Sequence, residues 1–433
     1  MPEVLEYSPA EAPLPGARSA LVLLLLINLF NYIDRYVLAS VEPNIHSTFF
    51  GAKESAQTLA KMGSLATAFL LSYMLTAPVF GWLADRMSRW LLIALSVIVW
   101  SLATGASGMA KTFTLLLVTR MFVGIGEAGY GPAAPTVISD FYPLSRRGAK
   151  LAWFYMAIPV GSALGYAVGG MVGGSHLGWR WAFFFVTPPG LLLGLWAFFM
   201  PDPPRGQADA VAGHAGRAPR RARLSDYLLL ARNRSYVLNT LAMAAMTFAI
   251  GGISYWMPRY LCNVRGLPDS AKTWFGGVVV VAGFFATLLG GIAGDKLKPR
   301  FGGSYFLVSG VGILIACPFI LLMLRVPFPA AWACIALAVF FLFFNTGPSN
   351  TALANVTHPA IRATGFALNI FVIHALGDAP SPPLLGGIAG KYGWEAAFAL
   401  VAMMMAVAGL LWLWGAKYLA ADTDSAPRQL QVA

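Results

Sequence analysis

Charge is what this chain has least of. Only 11% of its 433 residues are Asp, Glu, Lys or Arg, against roughly 25% in a soluble domain. So few charges cannot cover a water-exposed body of this length, which excludes a soluble enzyme. A disordered chain and a collagen-like or coiled-coil rod fall with it, because 58% of the residues are hydrophobic and 13% aromatic. Cysteine is nearly missing. Cys262, Cys317 and Cys334 are odd in number and far apart, so neither a disulfide framework nor a zinc site can be built from them. There is no phosphate-binding glycine loop, no nucleophile triad and no metal-ligand cluster, so no cofactor, no metal and no enzymatic activity are expected. The first residues carry Glu3, Glu6 and Glu11 and no basic run. They are read as a tail before a retained first span, not as a cleaved signal peptide.

What is present is apolar sequence in long runs. Mean hydropathy is +0.67, and a membrane span needs about 20 apolar residues. Runs of that kind fall near 19–45, 58–84, 90–110, 112–139, 148–174, 180–200, 234–261, 271–294, 303–324, 329–355, 361–389 and 393–419. The expected fold is an all-α membrane protein of twelve transmembrane helices. Residues 1–18 form a tail, 19–200 a first six-helix bundle, 201–233 a hydrophilic central loop, 234–420 a second bundle and 421–433 a second tail.

The net charge of +12 does not indicate nucleic acid, because the basic residues form no stripe with interleaved aromatics. They lie in short gaps between apolar runs. If the N-terminus is cytoplasmic, most of them fall inside, among them Arg18, Arg86, Arg89, Arg146, Arg147, Lys150, the arginines of 201–233, Lys296, Lys298, Arg300 and Arg362. That bias predicts both termini in the cytoplasm of a multi-pass cell-membrane protein, with a bacterial inner membrane as the setting.

The two halves repeat. Gly81-Trp-Leu-Ala-Asp85-Arg86-Met-Ser-Arg89 follows span two, and Gly291-Ile-Ala-Gly-Asp295-Lys296 follows span eight. Pro143-Leu-Ser-Arg-Arg147 precedes span five, and Pro359-Ala-Ile-Arg362 precedes span eleven. Trp179-Arg-Trp-Ala-Phe183 opens span six, and Trp394-Glu-Ala-Ala-Phe398 opens span twelve, 215 positions on. Matches in one order, 210 positions on at Asp85 and 215 at Arg147 and Trp179, imply two parallel six-helix repeats around a central cavity, an arrangement common in secondary transporters.

This pattern resembles the major facilitator superfamily. Asn31-Tyr-Ile-Asp34-Arg35, Arg120-Met-Phe-Val-Gly124-Ile-Gly126-Glu127, Ala134-Pro-Thr-Val-Ile-Ser-Asp140 and His374-Ala-Leu-Gly377-Asp378 narrow the likeness to its spinster-like branch. The resemblance implies alternating-access translocation of lysolipids, including sphingosine 1-phosphate in animal relatives. It also implies a cytoplasmic gate latch at Asp85, Arg86 and Arg89, with Asp295 in the second copy and Arg147 in the following loop. Gly161–Gly170 resembles the superfamily's antiporter signature, except that Tyr166 stands where proline is expected.

Of the 18 acidic residues, only Asp34, Glu127 and Asp378 fall well inside spans. A charge at mid-bilayer costs at least about 2.5–3.5 kcal/mol, so it faces a partner or a cavity. Arg120, Gly124 and Glu127 share one helical face, which predicts an Asp34–Arg120 contact, an Arg35–Glu127 contact, or both. The bland alternative is a fixed ion-pair network that only holds span one to span four. The functional one is a proton-sensitive lock centred on Asp34, since an acid parted from its arginine in apolar surroundings favours its protonated form. Arg35 and Arg120 are the candidate phosphate contacts, because a guanidinium matches that group bidentately. Asn31 and Tyr32 stand beside them, and Phe340, Phe344 and Phe371 are candidates for the apolar wall. His374 and Asp378, at i and i+4, suggest a second protonation site or only a helix–helix hydrogen bond. Arg259, among Tyr255, Trp256 and Tyr260, reads first as a cation snorkelling to the headgroups and second as a gate.

The expected function is a secondary transporter of an amphipathic anionic lipid, proton-coupled or proton-gated, acting as a monomer in the bilayer. A proton-coupled symporter of small organic anions such as sugar acids is the alternative within transport. A non-transporting lipid sensor is the alternative outside it.

Overall fold

The computed structural model describes residues 13–84, 86–142, 144–203, 229–357 and 361–426. Among these residues every regular element is helical. The helices are α1 (Ala17–Phe50), α2 (Ala56–Ala84), α3 (Arg89–Gly108), α4 (Phe113–Phe141), α5 (Leu144–Gly173), α6 (Trp179–Phe198), α7 (Arg234–Arg259), α8 (Ser270–Leu297), α9 (Ser304–Arg325), α10 (Ala331–Phe343), α11 (Thr346–Asn355), α12 (Arg362–Ile373), α13 (Ser381–Tyr392) and α14 (Trp394–Ser425). Polar residues start several of them. Ser88, Thr112 and Asn233 each accept a backbone N–H of the following turn, which satisfies one of the free N-terminal donors.

Eleven helical stretches of the described residues are long and apolar enough to cross a membrane. The twelfth expected span, 361–389, is interrupted. A π-helical turn at His374–Asp378 splits it into α12 and α13, each of 12 residues. A second π turn, Tyr260–Val264, continues α7. Extra-residue turns of this kind recur at functional sites.

The internal repeat extends to the backbone. Gly178 before α6 and Gly393 before α14 both sit at positive φ, 81° and 87°. They are the same left-handed corner ahead of Trp179 and Trp394, a conformation that favours glycine.

The chain divides into two compact units. One comprises Met1–Ile45 with Ala68–Ala218, the other His46–Thr67 with Pro219–Ala433, so the division cuts α1 and α2.

In the first unit α1 lies against α5 along a ladder of glycines. A Cβ added at Gly161 would stand 2.6 Å from the Leu29 carbonyl oxygen, and one at Gly165 would stand 2.7 Å from that of Ile33. Small residues at this four-residue spacing let two backbones touch. Polar side chains of α1 use the closeness. Asn28 Nδ2 donates to the Phe154 carbonyl at 2.8 Å, Ser40 Oγ to that of Tyr166 at 2.9 Å, and Asn44 Nδ2 to that of Gly173 at 3.1 Å. Tyr166, the residue replacing the expected proline, is fully buried and packs its ring edge-on to Tyr36 at 5.0 Å. Helix α4 is seated by glycines as well, Gly124 against the Phe69 carbonyl of α2 and Gly126 against Trp100 of α3.

In the second unit Asn239 of α7 is the polar centre. Its Nδ2 donates to the Ser349 carbonyl at 3.0 Å, and its Oδ1 accepts Trp412 Nε1 at 2.8 Å. Asn369 Nδ2 donates to Thr240 Oγ1 at 3.0 Å. The first turns of α2 also belong to this unit. Gly63 lies on Pro382, Leu59 packs against Gly386, and Tyr255 donates its hydroxyl to the Met62 carbonyl at 2.5 Å.

Candidate functional site

The glycine ladder and the seating of α4 bring four charged side chains together inside the first unit. Asp34 and Arg35 come from α1, Arg120 and Glu127 from α4. Both expected pairs are present. Arg35 meets Glu127, with Nε to Oε2 at 2.7 Å. Arg120 meets Asp34 Oδ1 at 3.4 Å. The side chains of Asp34, Arg120 and Glu127 are each 1% exposed, whereas that of Arg35 is 24% exposed. Of the four, Arg35 is therefore the one an incoming anion can reach.

The two acids are held differently. Asp34 is occupied at both oxygens, Oδ1 by Arg120 and Oδ2 by the hydroxyl of Thr104 on α3. Glu127 is occupied at Oε2, while its buried Oε1 has no hydrogen-bond partner among the described residues. Arg120 Nε and Asn31 Nδ2 are buried without partners too. Unsatisfied buried polar atoms cost about 1–3 kcal/mol each, and native folds keep few of them. Among the described residues the cluster thus holds two unused donors and one unused acceptor.

Arg35 sits in an aromatic setting. Its guanidinium carbon is 4.8 Å from the ring centre of Phe69, 5.0 Å from Tyr32 and 5.6 Å from Tyr73. Cation–π attraction, stronger where water is excluded, adds to the ion pair in holding the guanidinium. Thr104, Phe69 and Tyr73 were not singled out from the sequence. Phe69 and Tyr73 stand four apart on span two, the spacing of one helical face, but nothing in composition separates them from ordinary lipid-facing aromatics.

The second unit holds the other acid. His374 Nδ1 and Asp378 pair within the π turn, 2.9 Å to Oδ1 and 3.1 Å to Oδ2. Both side chains are part-exposed, 26% and 20%. Glycines dock the turn on α7. A Cβ on Gly251 would come 2.5 Å from Asp378 Cβ, and one on Gly377 would come 2.8 Å from the Ala244 carbonyl oxygen.

The expected apolar wall does not form one surface. Phe340 and Phe344 have ring centres 5.6 Å apart. Phe340 lines a wholly apolar cleft of about 650 Å³ between α8 and α10, with Trp274, Val278, Val281, Phe285 and Leu337. Phe371 is half exposed on α12.

The expected gate residues divide. Arg89 is buried, pairs with Asp140 and donates to the Pro203 carbonyl at 2.9 Å, while its backbone N–H meets Asp202 at 2.9 Å. Arg86 is exposed and stacks on Trp82, 4.1 Å to the ring centre. Asp295 accepts the Tyr305 hydroxyl at 2.7 Å. Asp85 and the side chain of Arg147 lie outside what is described. Arg259 does not snorkel: it is 2% exposed and paired with Glu54. The tyrosines and tryptophan around it are buried with it, so the cluster that reads as an interfacial belt is interior packing.

The sequence profile of the Major Facilitator Superfamily matches residues 24–382. Similar proteins include Protein spinster homolog 3 of Danio rerio, 37% identical over 388 residues that cover 85% of this chain and 76% of that one. The Sphingosine-1-phosphate transporter SPNS2 of the same fish is 32% identical over 434 residues, covering 93% and 84%. Among solved structures, a bacterial homolog of the human lysosomal transporter Spinster, in an inward-facing and unoccupied conformation, superposes with a TM-score of 0.77. It is 23% identical and covers 96% of this chain and 98% of its own.

Proposed function

This chain belongs to the spinster branch of the major facilitator superfamily, and from that premise we propose that it carries an amphipathic anionic lipid of the lysophospholipid or sphingolipid class across the membrane, by alternating access and with a linked proton. The observation that carries this reading is the Arg35–Glu127 pair: a reachable guanidinium held by an acid that has one oxygen free.

The chemistry follows from the pair. An anionic phosphate arriving at Arg35 competes with Glu127 for the same guanidinium, since Arg binds either oxyanion bidentately. If the phosphate wins, Glu127 is left as a bare charge in a buried site, which favours its protonated form. Its Oε1 can take a proton without breaking an existing hydrogen bond. Headgroup binding and proton uptake therefore assist each other, and by linkage each raises the affinity for the other. We place the exchangeable proton on Glu127 rather than on Asp34, because both Asp34 oxygens are already engaged. Asp34 and Arg120 then serve as the fixed partner pair that keeps α1, α3 and α4 in register. His374 and Asp378 are assigned a second proton-sensitive contact in the other unit. A relative that carries sphingosine 1-phosphate by name has a substrate of the same head-and-tail chemistry.

The test is flux into proteoliposomes of a lysophospholipid and of a small sugar acid, each with and without an imposed pH gradient. Lysolipid flux that responds to the gradient is expected. Flux of the sugar acid alone would move the assignment to a small-anion symporter, and saturable lysolipid binding with no flux would make the protein a sensor.

A further inference from the structure

Away from these residues, α9 and the start of α14 flank an open-sided cleft of about 670 Å³ in the second unit. Its walls are apolar: Pro318, Leu321, Leu322 and Leu324 from α9 face Ala396 and Ala399 from α14. Its mouth is not. Arg325 and Glu395 meet there, Nη2 to Oε2 at 3.0 Å, with 75% and 62% of their side chains exposed. An exposed pair of this kind does little to hold helices together. Nor is Arg325 needed to cap α9. Arg265 already does that, donating Nη1 to the Met323 carbonyl and Nη2 to that of Val326, both at 2.6 Å. Tyr392, 65% exposed, stands at the same end. An exposed aromatic of this type marks headgroup depth in a bilayer.

We propose that this cleft is a binding site for a zwitterionic phospholipid bearing a primary ammonium, of the phosphatidylethanolamine type. The phosphate lies on Arg325, the ammonium donates to Glu395, and one acyl chain fills the apolar cleft. The charge pattern selects the occupant: a cation and an anion side by side match a phosphate and an ammonium side by side. A lipid with a phosphate and no cation would leave Glu395 facing a like charge. Swapping Arg325 and Glu395 from each other to the two lipid charges conserves the number of ion pairs, so opening the pair costs little. The site is separate from the Arg35–Glu127 pair and stands whether or not the transported substrate is a lipid.

The test is native mass spectrometry of the purified full chain, titrated with phosphatidylethanolamine and, separately, with phosphatidylglycerol. Wild type should retain the ethanolamine lipid in preference to the glycerol one. R325A/E395A should weaken ethanolamine-lipid binding about tenfold, the contribution of one charge-assisted hydrogen bond. The exchanged pair R325E/E395R keeps both charges at the mouth and should retain the preference. Both substituted positions are exposed, and unchanged thermal unfolding of each variant would separate lost binding from lost fold. Equal retention of the two lipids by wild type, or an undiminished preference in R325A/E395A, would overturn the proposal.

Discussion

Arg35 and Glu127 differ from the residues around them by what they leave open. Arg35 keeps part of its guanidinium accessible against three aromatic rings, and Glu127 keeps one oxygen unbonded. Two substitutions separate their roles. Glu127→Gln removes the competing charge while keeping the shape, so lysolipid binding should lose most of its pH dependence and be at least as tight as wild type at low pH. Arg35→Ala should weaken binding by about tenfold to a hundredfold, in line with losing a charge-assisted hydrogen bond of about 1.5–3 kcal/mol. Isothermal titration with lysophosphatidylglycerol, whose phosphodiester keeps one charge across the pH range tested, checks both. Asp34 and Arg120 behave otherwise. Each is sealed, and removing one strands the other, so Arg120→Ala should destabilise the protein by about 3–5 kcal/mol, seen as a fall in the thermal midpoint in detergent rather than as a selective loss of binding. The pairing of these four residues was legible in the sequence, because carboxylates and arginines inside apolar spans have few places to go and their helical spacing limits the choice. Which acid stays free was not. That depends on Thr104, a hydroxyl on span three that no pattern distinguishes from the other hydroxyls of the chain.

Helices here are positioned by what is missing from their surfaces. Gly161 and Gly165 on α5 lie under Leu29 and Ile33 of α1, directly beside Asp34 and Arg35. Gly165→Leu should push α1 outward at an overpacking cost of about 1–3 kcal/mol, and it should impair lysolipid binding although the residue touches no ligand. Reduced binding together with a lowered thermal midpoint is the expected readout. The glycine spacing on span five was visible in the sequence; its use as a backbone-to-backbone seam with α1 was not, because spacing names a face and not its neighbour. Span eleven shows the opposite case. Its length and apolar character predicted one helix, and the chain instead inserts a π turn at His374–Asp378. A single extra residue in a helical turn leaves no trace in hydrophobic periodicity, and the prolines that follow at 380, 382 and 383 only hint at a break. The snorkelling reading of Arg259 fails for a similar reason, and its reading as a gate stays open. Its aromatic neighbours have the composition of an interfacial belt, and only the packing of residues 54–63 over them shows that they are buried.

For the whole molecule, scarcity of charge predicted the class, and the repeated corner at Gly178 and Gly393 repeats the sequence duplication in the backbone. Topology is a separate expectation, resting on the basic residues between spans. A fluorescent reporter fused after the C-terminus should be bright and an alkaline phosphatase at the same place inactive, since both termini are expected inside. The coupling of headgroup to proton is tested most directly by binding of lysophosphatidylglycerol, whose phosphodiester does not titrate in this range, to wild type and Glu127→Gln between about pH 5 and pH 8. If phosphate displaces Glu127 and the acid takes up a proton as it leaves Arg35, wild-type affinity rises as pH falls and levels off once the acid is protonated before the ligand arrives. The variant changes much less over the same range. Wild-type affinity that does not change with pH, or a Glu127→Gln variant that follows the wild-type curve, would contradict it.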